Sequence, residues 1–328
     1  VYNSGSILNV IPLYYENLRF SGNGQKVISG EVIVTKDFNM VAGSATMGNT
    51  SSLFQVNGNT YLNSNSFSFG SAAAHNVIFN GLVNSGSISM PTSAFANNLT
   101  FGGEAYGVAL SVSNNTTGTV IYNALGKQNI LAGTYANLTI DGSGLKNGNN
   151  GAITVNGKLS LKGGAFVAQL NGDITNRAAN TALNLGVGAQ IEVDGGTLSS
   201  APRLAVSTST YTVSYLRSAV SGAELRPVVG VLSGLNISGN TVVTLDSAVT
   251  IGAVAINGSI NFGTDEGVLD LGAHDLTIFR TSAGAFSGTI GAANGKILTN
   301  GVGRFILMGG TTRACLLYTS PSPRDRTR

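Results

Sequence analysis

The sequence has little of what catalytic and nucleic-acid-binding proteins use. Only 10% of its 328 residues are charged, against a usual share of about 25%. It contains two histidines, one cysteine and no tryptophan. A single cysteine cannot form a disulfide within the chain, and zinc sites need several cysteine or histidine ligands. The composition therefore excludes a disulfide-stapled domain and a Cys/His zinc centre.

An excess of charge of one sign is also missing from the body of the chain. The formal net charge of +3 comes from the last sixteen residues, where four arginines stand against one aspartate. Residues 1–312 are therefore neutral, with scattered lysines and arginines instead of the basic stripe that phosphate binding requires. No stretch approaches the roughly 18 apolar residues of a membrane-spanning helix. We accordingly predict no nucleic-acid partner and no membrane span.

What the chain does contain is glycine, at 45 residues, which is about twice the usual share of ~7%. Serine, threonine and asparagine are also abundant, and hydrophobic residues make up 42% in a spread distribution. Short runs such as Leu138-Thr139-Ile140 and Leu235-Asn236-Ile237 alternate apolar and polar residues. Such alternation gives a strand one buried and one wet face. The pattern predicts a folded all-β protein with many short strands.

An internal repeat dominates the sequence. Residues 1–26 align with residues 121–146 without a gap, at an offset of 120. A looser third copy covers 232–262, so the repeats lie near 1–40, 121–161 and 232–262. A repeat of this length decides the architecture before any single motif does. The identical pairs are Tyr2/Tyr122, Asn3/Asn123, Asn9/Asn129, Tyr15/Tyr135, Asn17/Asn137, Leu18/Leu138, Gly22/Gly142, Gly24/Gly144 and Lys26/Lys146.

The repeat favours a right-handed parallel β-helix (a β-solenoid) over residues 1–312, in which each coil rests on the previous one. Coils of about 20 to 24 residues would number roughly 13 to 15. The alternative is an array of antiparallel β-sandwiches, with hairpins at Asn-Gly pairs such as Asn57-Gly58 and Asn80-Gly81. In a solenoid the same pairs would form corners with positive φ. Residues 201–227, with Pro202 and Pro227, predict an irregular coil or lateral excursion.

The last residues differ from the rest of the chain. From Cys315 onward the glycine and asparagine pattern stops and the chain reads CLLYTSPSPRDRTR. This segment resembles translated sequencing-adaptor read-through at the end of a metagenomic reading frame. We expect residues 313–328 to be a non-native, disordered tail, and the chain to be a fragment of a longer protein.

Side chains that could carry chemistry are few and separated. His75 and His274 lie about 200 positions apart, without the neighbouring ligands that a metal site needs. The densest acidic group is Asp265, Glu266 and Asp270, where carboxylates could serve sugar chemistry or calcium binding. Because Asp265 and Glu266 stand between glycines, the simpler interpretation is a solvated turn.

Recurring polar residues have a structural interpretation as well. Lys26 and Lys146 occupy the same repeat position, which predicts solvated turn lysines. The Gly22-x-Gly24 spacing falls short of a phosphate-binding loop and predicts a turn. Tyr14, Tyr15 and Tyr135 could stack on sugar rings, but their repetition favours packing. We therefore predict no catalytic, cofactor-binding or metal-ligating residues, and no enzyme.

The repeat pattern, Tyr-x-Asn-Leu followed by Gly-x-Gly-x-Lys, resembles the giant repetitive surface and secreted proteins of Bacteroidetes. Leu269-Asp270-Leu271-Gly272, Leu276-Thr277-Ile278 and residues 297–303 are similar to a recurrent block of those proteins. The resemblance implies an exported, adhesin-like β-helical stalk at the cell surface or outside the cell. Our hypothesis adds that the neutral flank of this stalk contacts glycans or surface proteins. The alternative is a carbohydrate-active enzyme, a polysaccharide lyase or hydrolase, on the same fold.

Overall fold

The computed structural model describes residues 1–112, 117–148, 152–167, 183–263, 266–280, 290–291, 295–299 and 301–309. The fold is a parallel β-solenoid of about 11 turns. All pairings between its described strands are parallel, so the predicted β-helix is confirmed and the antiparallel sandwich array is wrong. The predicted right-handed sense remains a prediction. Predicted tail residues 313–328 lie outside the described residues.

The chain divides into two compact units, Val1–Leu183 and Asn184–Arg328. The first unit consists of short strands, most of them two to five residues long. They are β1 (Tyr2–Asn3), β2 (Leu8–Val10), β3 (Tyr14–Tyr15), β4 (Leu18–Ser21), β5 (Gln25–Ile28), β6 (Glu31–Val34), β7 (Phe38–Met40), β8 (Ser44–Met47), β9 (Ser52–Val56), β10 (Thr60–Tyr61), β11 (Ser66–Ser68), β12 (His75–Phe79), β13 (Val83–Ser89), β14 (Asn98–Phe101), β15 (Ala105–Ser111), β16 (Thr119–Tyr122), β17 (Gln128–Ile130), β18 (Gly133–Tyr135), β19 (Asn137–Ile140), β20 (Leu145–Gly148), β21 (Ile153–Val155), β22 (Lys158–Leu161) and β23 (Ala165–Val167).

The coils of the first unit have three faces. One face is the succession β4, β7, β10 and β13, and a second is β5, β8 and β11 followed by the later half of β13. The third is β6, β9, β12, β14, β16, β19 and β22. Strands β13 and β15 run through two faces without a break, because Ser85, Gly86 and Gly107 adopt positive φ at the bend.

The core forms because the alternating residues fall in register from coil to coil. In the third face Val32 pairs with Phe54, Phe54 with Val77, and Val77 with Leu99. All four side chains are fully buried. Stacking in register lets every inward apolar group rest on two neighbours, which removes it from water on all sides.

Aromatic rings form a continuous column inside this tube. Phe54 packs edge-on against Phe38 at a centroid distance of 5.1 Å and stacks on Phe67 at 5.4 Å. Such offset and edge-on contacts suit the ring quadrupoles. The column continues in both directions through Tyr2, Phe20, Phe79, Phe101 and Tyr122.

The second unit contains strands of the same kind and one short 3-10 helix, Ala223–Leu225. Strand β24 (Leu183–Leu185) lies at the boundary between the units. The later strands are β25 (Gln190–Val193), β26 (Thr197–Leu198), β27 (Pro202–Leu204), β28 (Thr210–Tyr215), β29 (Ala219–Val220), β30 (Val231–Ile237), β31 (Val242–Thr244), β32 (Val249–Ile251), β33 (Ser259–Phe262), β34 (Val268–Asp270), β35 (Leu276–Arg280), β36 (Ile290–Gly291), β37 (Lys296–Leu298) and β38 (Phe305–Gly309).

The irregular stretch predicted between Pro202 and Pro227 is only partly irregular. Pro202 is the first residue of β27, where a missing N–H does no harm. Strand β28 then pairs in parallel with β25 and, with one register shift between Tyr211 and Thr212, with β30. The departure from the coil is confined to residues 216–230, which carry β29 and the 3-10 helix.

Two details of the prediction are wrong. The predicted 13 to 15 coils exceed the observed number, because hydrogen bonds between coils join residues as far as 30 apart. The Asn-Gly pairs are not positive-φ corners either, since neither Gly58 nor Gly81 has positive φ. A Cβ on Gly58 would lie 2.6 Å from the carbonyl oxygen of Lys36, and one on Gly81 would lie 2.3 Å from that of Gly58. These glycines let successive corners approach closely.

Candidate functional site

The two repeat lysines occupy buried corners of the first unit. Lys26 and Lys146 are both 0% exposed. The Nζ of Lys26 donates to the carbonyl oxygens of Ser4, Gly22 and Gly24 at 2.7 to 3.2 Å. The prediction of solvated turn lysines is therefore wrong. An ammonium group has three N–H donors, which matches the three carbonyl oxygens at this corner.

The second copy builds the same corner with different neighbours. The Nζ of Lys146 donates to the carbonyl oxygens of Ala124, Gly126 and Ser143 at 2.8 to 3.1 Å. Burial lowers the pKa of Lys146, an effect that the nearby carboxylates of Asp141 and Glu104 oppose. With three acceptors around it, this ammonium group serves as a structural clamp and not as an exposed base.

The third copy replaces this corner with an apolar one. Val243 stands where the first two copies have lysine, and it is fully buried. Thr241 stands where they have Gly24 and Gly144. A Cβ on Gly24 would lie 2.0 Å from the carbonyl oxygen of Ser6, so that corner excludes any side chain. Lysine and glycine thus occur together at these corners and are lost together.

The repeated tyrosines form matching hydrogen-bonded pairs. The hydroxyl groups of Tyr2 and Tyr15 are 2.7 Å apart, and those of Tyr122 and Tyr135 are 3.2 Å apart. Tyr122 and Tyr135 are fully buried, and burial raises the pKa of both phenols. Tyr135 therefore packs inside the tube, while Tyr14 is 71% exposed.

His75 is the most unusual polar residue of the first unit. Its side chain is 2% exposed, and neither ring nitrogen has a hydrogen-bond partner among the described residues. Its backbone N–H donates to Oδ1 of Asn97 at 2.9 Å. Desolvation lowers the pKa of His75 below the ordinary 6.5, because nothing nearby compensates a positive charge. The imidazole is therefore held neutral in the core.

We expect the free energy of unfolding to fall as the pH drops below about 6.5, the unfolded-state pKa of histidine. Because the pKa of His75 is lower in the folded state, the unfolded chain binds the proton first as the pH falls. The contribution of His75 to the free energy of unfolding is therefore fully present above the unfolded-state pKa and decreases from there toward the folded-state pKa. The slope attributable to one histidine is at most about 1.4 kcal/mol per pH unit. Urea unfolding curves recorded at pH 7.5 and pH 5.5 measure this change in the free energy of unfolding.

The control for this prediction is His75→Gln, which keeps a polar side chain that does not titrate. We expect the variant to be less sensitive to the same pH change than the wild type. If both proteins lose the same free energy of unfolding between the two pH values, the loss is due to carboxylates and not to His75.

A buried carboxylate organises the irregular loop of the second unit. Glu224, in the 3-10 helix, is 3% exposed. Its Oε1 accepts hydrogen bonds from the backbone N–H of Gly222 at 2.7 Å and from the hydroxyl group of Tyr215. The hydroxyl group of Tyr211 donates to the backbone carbonyl of Glu224 at 2.7 Å. Burial, aided by the Glu224 charge, raises the pKa of both tyrosines, so this cluster anchors the loop.

Several other acidic residues pair with basic ones, and Oδ1 of Asp270 accepts a hydrogen bond from the backbone N–H of Gly272 at 3.0 Å. Glu266 is exposed and bound to Lys296 at 2.9 Å, and Asp194 is bound to Arg217 at 2.6 Å. His274 follows the turn at Gly272, as predicted, and Asp265 lies outside the described residues. Among the residues that the structure describes, no three His, Cys, Asp or Glu side chains stand close enough to hold a metal ion.

The first unit also carries an ordered outer face, which the sequence analysis missed. The outward residues of β4, β7, β10, β13 and β15 stack in register, and we call them the Tyr–Asn row: Arg19, Asn39, Tyr61, Asn84 and Tyr106. Beyond the bend, outward hydroxyl groups stack in two hydroxyl rows: Ser44, Ser66 and Ser87, and Thr46, Ser68, Ser89 and Ser111. Polar residues that recur every 20 to 23 positions are the signal in the sequence that indicates these rows.

Nothing matches the chain among protein-family models, curated proteins or solved structures. Within the described part of the chain, no helix has both the length and the apolar character needed to cross a bilayer. The interpretation of the site therefore depends on its geometry.

Proposed function

We propose that the protein is a structural, adhesin-like stalk of an exported bacterial protein, located at the cell surface or outside the cell and contacting glycans. The observation that supports this most is the use of its polar groups. Lys26, Lys146 and Glu224 are buried and bonded to backbone carbonyls or to tyrosines. These groups therefore hold coils together, as a spacer requires.

The mechanism of a stalk is mechanical. In each unit a parallel ladder ties every coil to the coils before and after it, and the packed interior resists shear between them. Ion pairs such as Arg226 to Asp246 and Arg217 to Asp194 add contacts between neighbouring coils on the surface. A stalk of this kind keeps a binding surface at a set distance from the cell.

The proposal predicts that antibodies raised against the purified chain label intact cells that produce this protein. It also predicts no release of reducing or unsaturated sugar ends when the chain is incubated with a panel of neutral and acidic polysaccharides. Labelling only after cell lysis would contradict the surface location. Turnover of any polysaccharide would favour the alternative, a carbohydrate-active enzyme on the same fold.

A further inference from the structure

We propose that the Tyr–Asn row of the first unit binds a neutral, extended β-linked polysaccharide that lies along the stacked coils. The inference deepens the proposed stalk function, on which it rests, by naming the surface and the class of glycan. It assigns contact with sugar to Tyr61, Asn84 and Tyr106, three outward residues of successive strands.

The chemistry of the row fits sugar rings. Tyr106 is 50% exposed, Asn84 is exposed and Tyr61 is half-buried. Within the described residues, the side chains of these three residues form no hydrogen bond to the protein. A pyranose presents an apolar C–H face and a rim of hydroxyl groups. Aromatic faces pack against the first, and amides bond to the second.

The spacing of the row selects an extended chain. Tyr61 and Tyr106 both pair with Asn84, one on each side, so they stand two strands apart. Neighbouring strands are about 4.8 Å apart, which places the two tyrosines about 10 Å apart. That separation is close to the length of one disaccharide unit in an extended β-1,4-linked chain. Successive disaccharides could therefore stack on alternate strands, with Asn84 between them.

A neighbouring asparagine adds preorganisation. The Nδ2 of Asn63 donates to Oδ1 of Asn39 at 2.9 Å and to the carbonyl oxygen of Met40 at 2.9 Å. The Asn39 side chain is therefore fixed in place through its Oδ1. A side chain fixed before binding loses less conformational entropy when the ligand arrives.

The charge of the surface selects a neutral ligand. Arg19 is the one charged member of the Tyr–Asn row and lies at its end. The adjacent hydroxyl rows contain only serine and threonine. Away from Arg19 the named residues of this face carry no charge, so they offer an anionic polysaccharide no compensation for the loss of its hydration. Uncharged amide, phenol and hydroxyl groups instead exchange hydrogen bonds with the hydroxyl groups of a neutral sugar.

Affinity electrophoresis of the full chain in gels containing hydroxyethylcellulose, a soluble neutral β-1,4-glucan, tests the proposal. Carboxymethylcellulose supplies the same backbone with negative charge. We expect retardation by the neutral polymer, weaker retardation by the anionic one, and at least a tenfold loss of affinity in the double variant Tyr61→Ala/Tyr106→Ala. Tyr14→Ala is the control, because Tyr14 is a more exposed tyrosine of the same unit that belongs to another face.

Three results would overturn the proposal: no retardation of the wild type by hydroxyethylcellulose, unchanged affinity of the double variant, or stronger retardation by carboxymethylcellulose. If the double variant does not fold, Tyr106→Ala and Tyr61→Phe/Tyr106→Phe replace it. We expect the first to weaken binding severalfold and the second to retain most of it. A chain that does not bind glucan can still be labelled by antibodies on intact cells. The two experiments therefore distinguish failure of this inference from failure of the proposed stalk function.

Discussion

Replacing Phe54 with alanine is expected to destabilise the first unit by about 4 kcal/mol, within the range for large-to-small changes of buried aromatic residues. Phe54 is fully buried and contacts three other rings, Phe38, Phe67 and Phe79. Its removal takes away the apolar area of one ring and leaves a cavity in the middle of the aromatic column. Because backbone ladders hold the coils on both sides, the walls cannot collapse to fill that cavity.

Urea unfolding followed by circular dichroism measures the effect of Phe54→Ala. The matched control is Phe95→Ala, since Phe95 belongs to the same unit but is 43% exposed. We expect the control to shift the unfolding midpoint only slightly. If the two variants unfold at the same urea concentration, the column does not carry the stability that its packing indicates.

Replacing Lys146 with alanine is expected to cost about 3 kcal/mol, because each of the three hydrogen bonds that it removes contributes about 1 kcal/mol. The three acceptors are the carbonyl oxygens of Ala124, Gly126 and Ser143. The lysine stem also fills space inside the corner, and alanine leaves that space empty. Both losses fall on the same coil, so we expect unfolding of the first unit to begin there.

Two further variants separate the causes. Lys146→Met keeps an unbranched apolar stem but removes the ammonium group. Because the packing of the stem is retained, we expect its free energy of unfolding to lie between those of Lys146→Ala and the wild type. Lys162→Ala, at an exposed lysine of the same unit, should change the urea midpoint little. Equal stability of Lys146→Met and the wild type would show that the carbonyl groups find water instead.

The architecture was predictable because stacking in register leaves a regular trace in the sequence. Inward residues such as Val32, Phe54 and Val77 pair with one another, and each lies in a short alternating run. Period-two patterns and the long repeat therefore predicted the tube without any knowledge of the site. What they could not reveal is which polar residues face inward at corners.

Lys26 and Lys146 illustrate that limit. By composition a lysine between glycines belongs to a solvated turn. Its burial follows from the carbonyl groups of a different coil, such as Ser4 for Lys26, and no local pattern records that contact. The Tyr–Asn row was missed for a related reason. Tyr61 and Tyr106 are distant in sequence, and only the register of β10, β13 and β15 brings them to one face.

The duplicated segment does not fall on the same side of the tube as its original. Leu18–Ser21 belongs to the sheet that carries the Tyr–Asn row, but its counterpart Asn137–Ile140 belongs to the sheet of β6 and β9. The duplication thus spans five whole coils plus two of the three faces. If further segments of this size were added in the same register, each copied patch would lie on a different face from the copy before it. Only the third addition would return to the face of the original. Multivalent binding of one linear ligand would then depend on side chains from neighbouring coils, because duplicated segments lie on different faces.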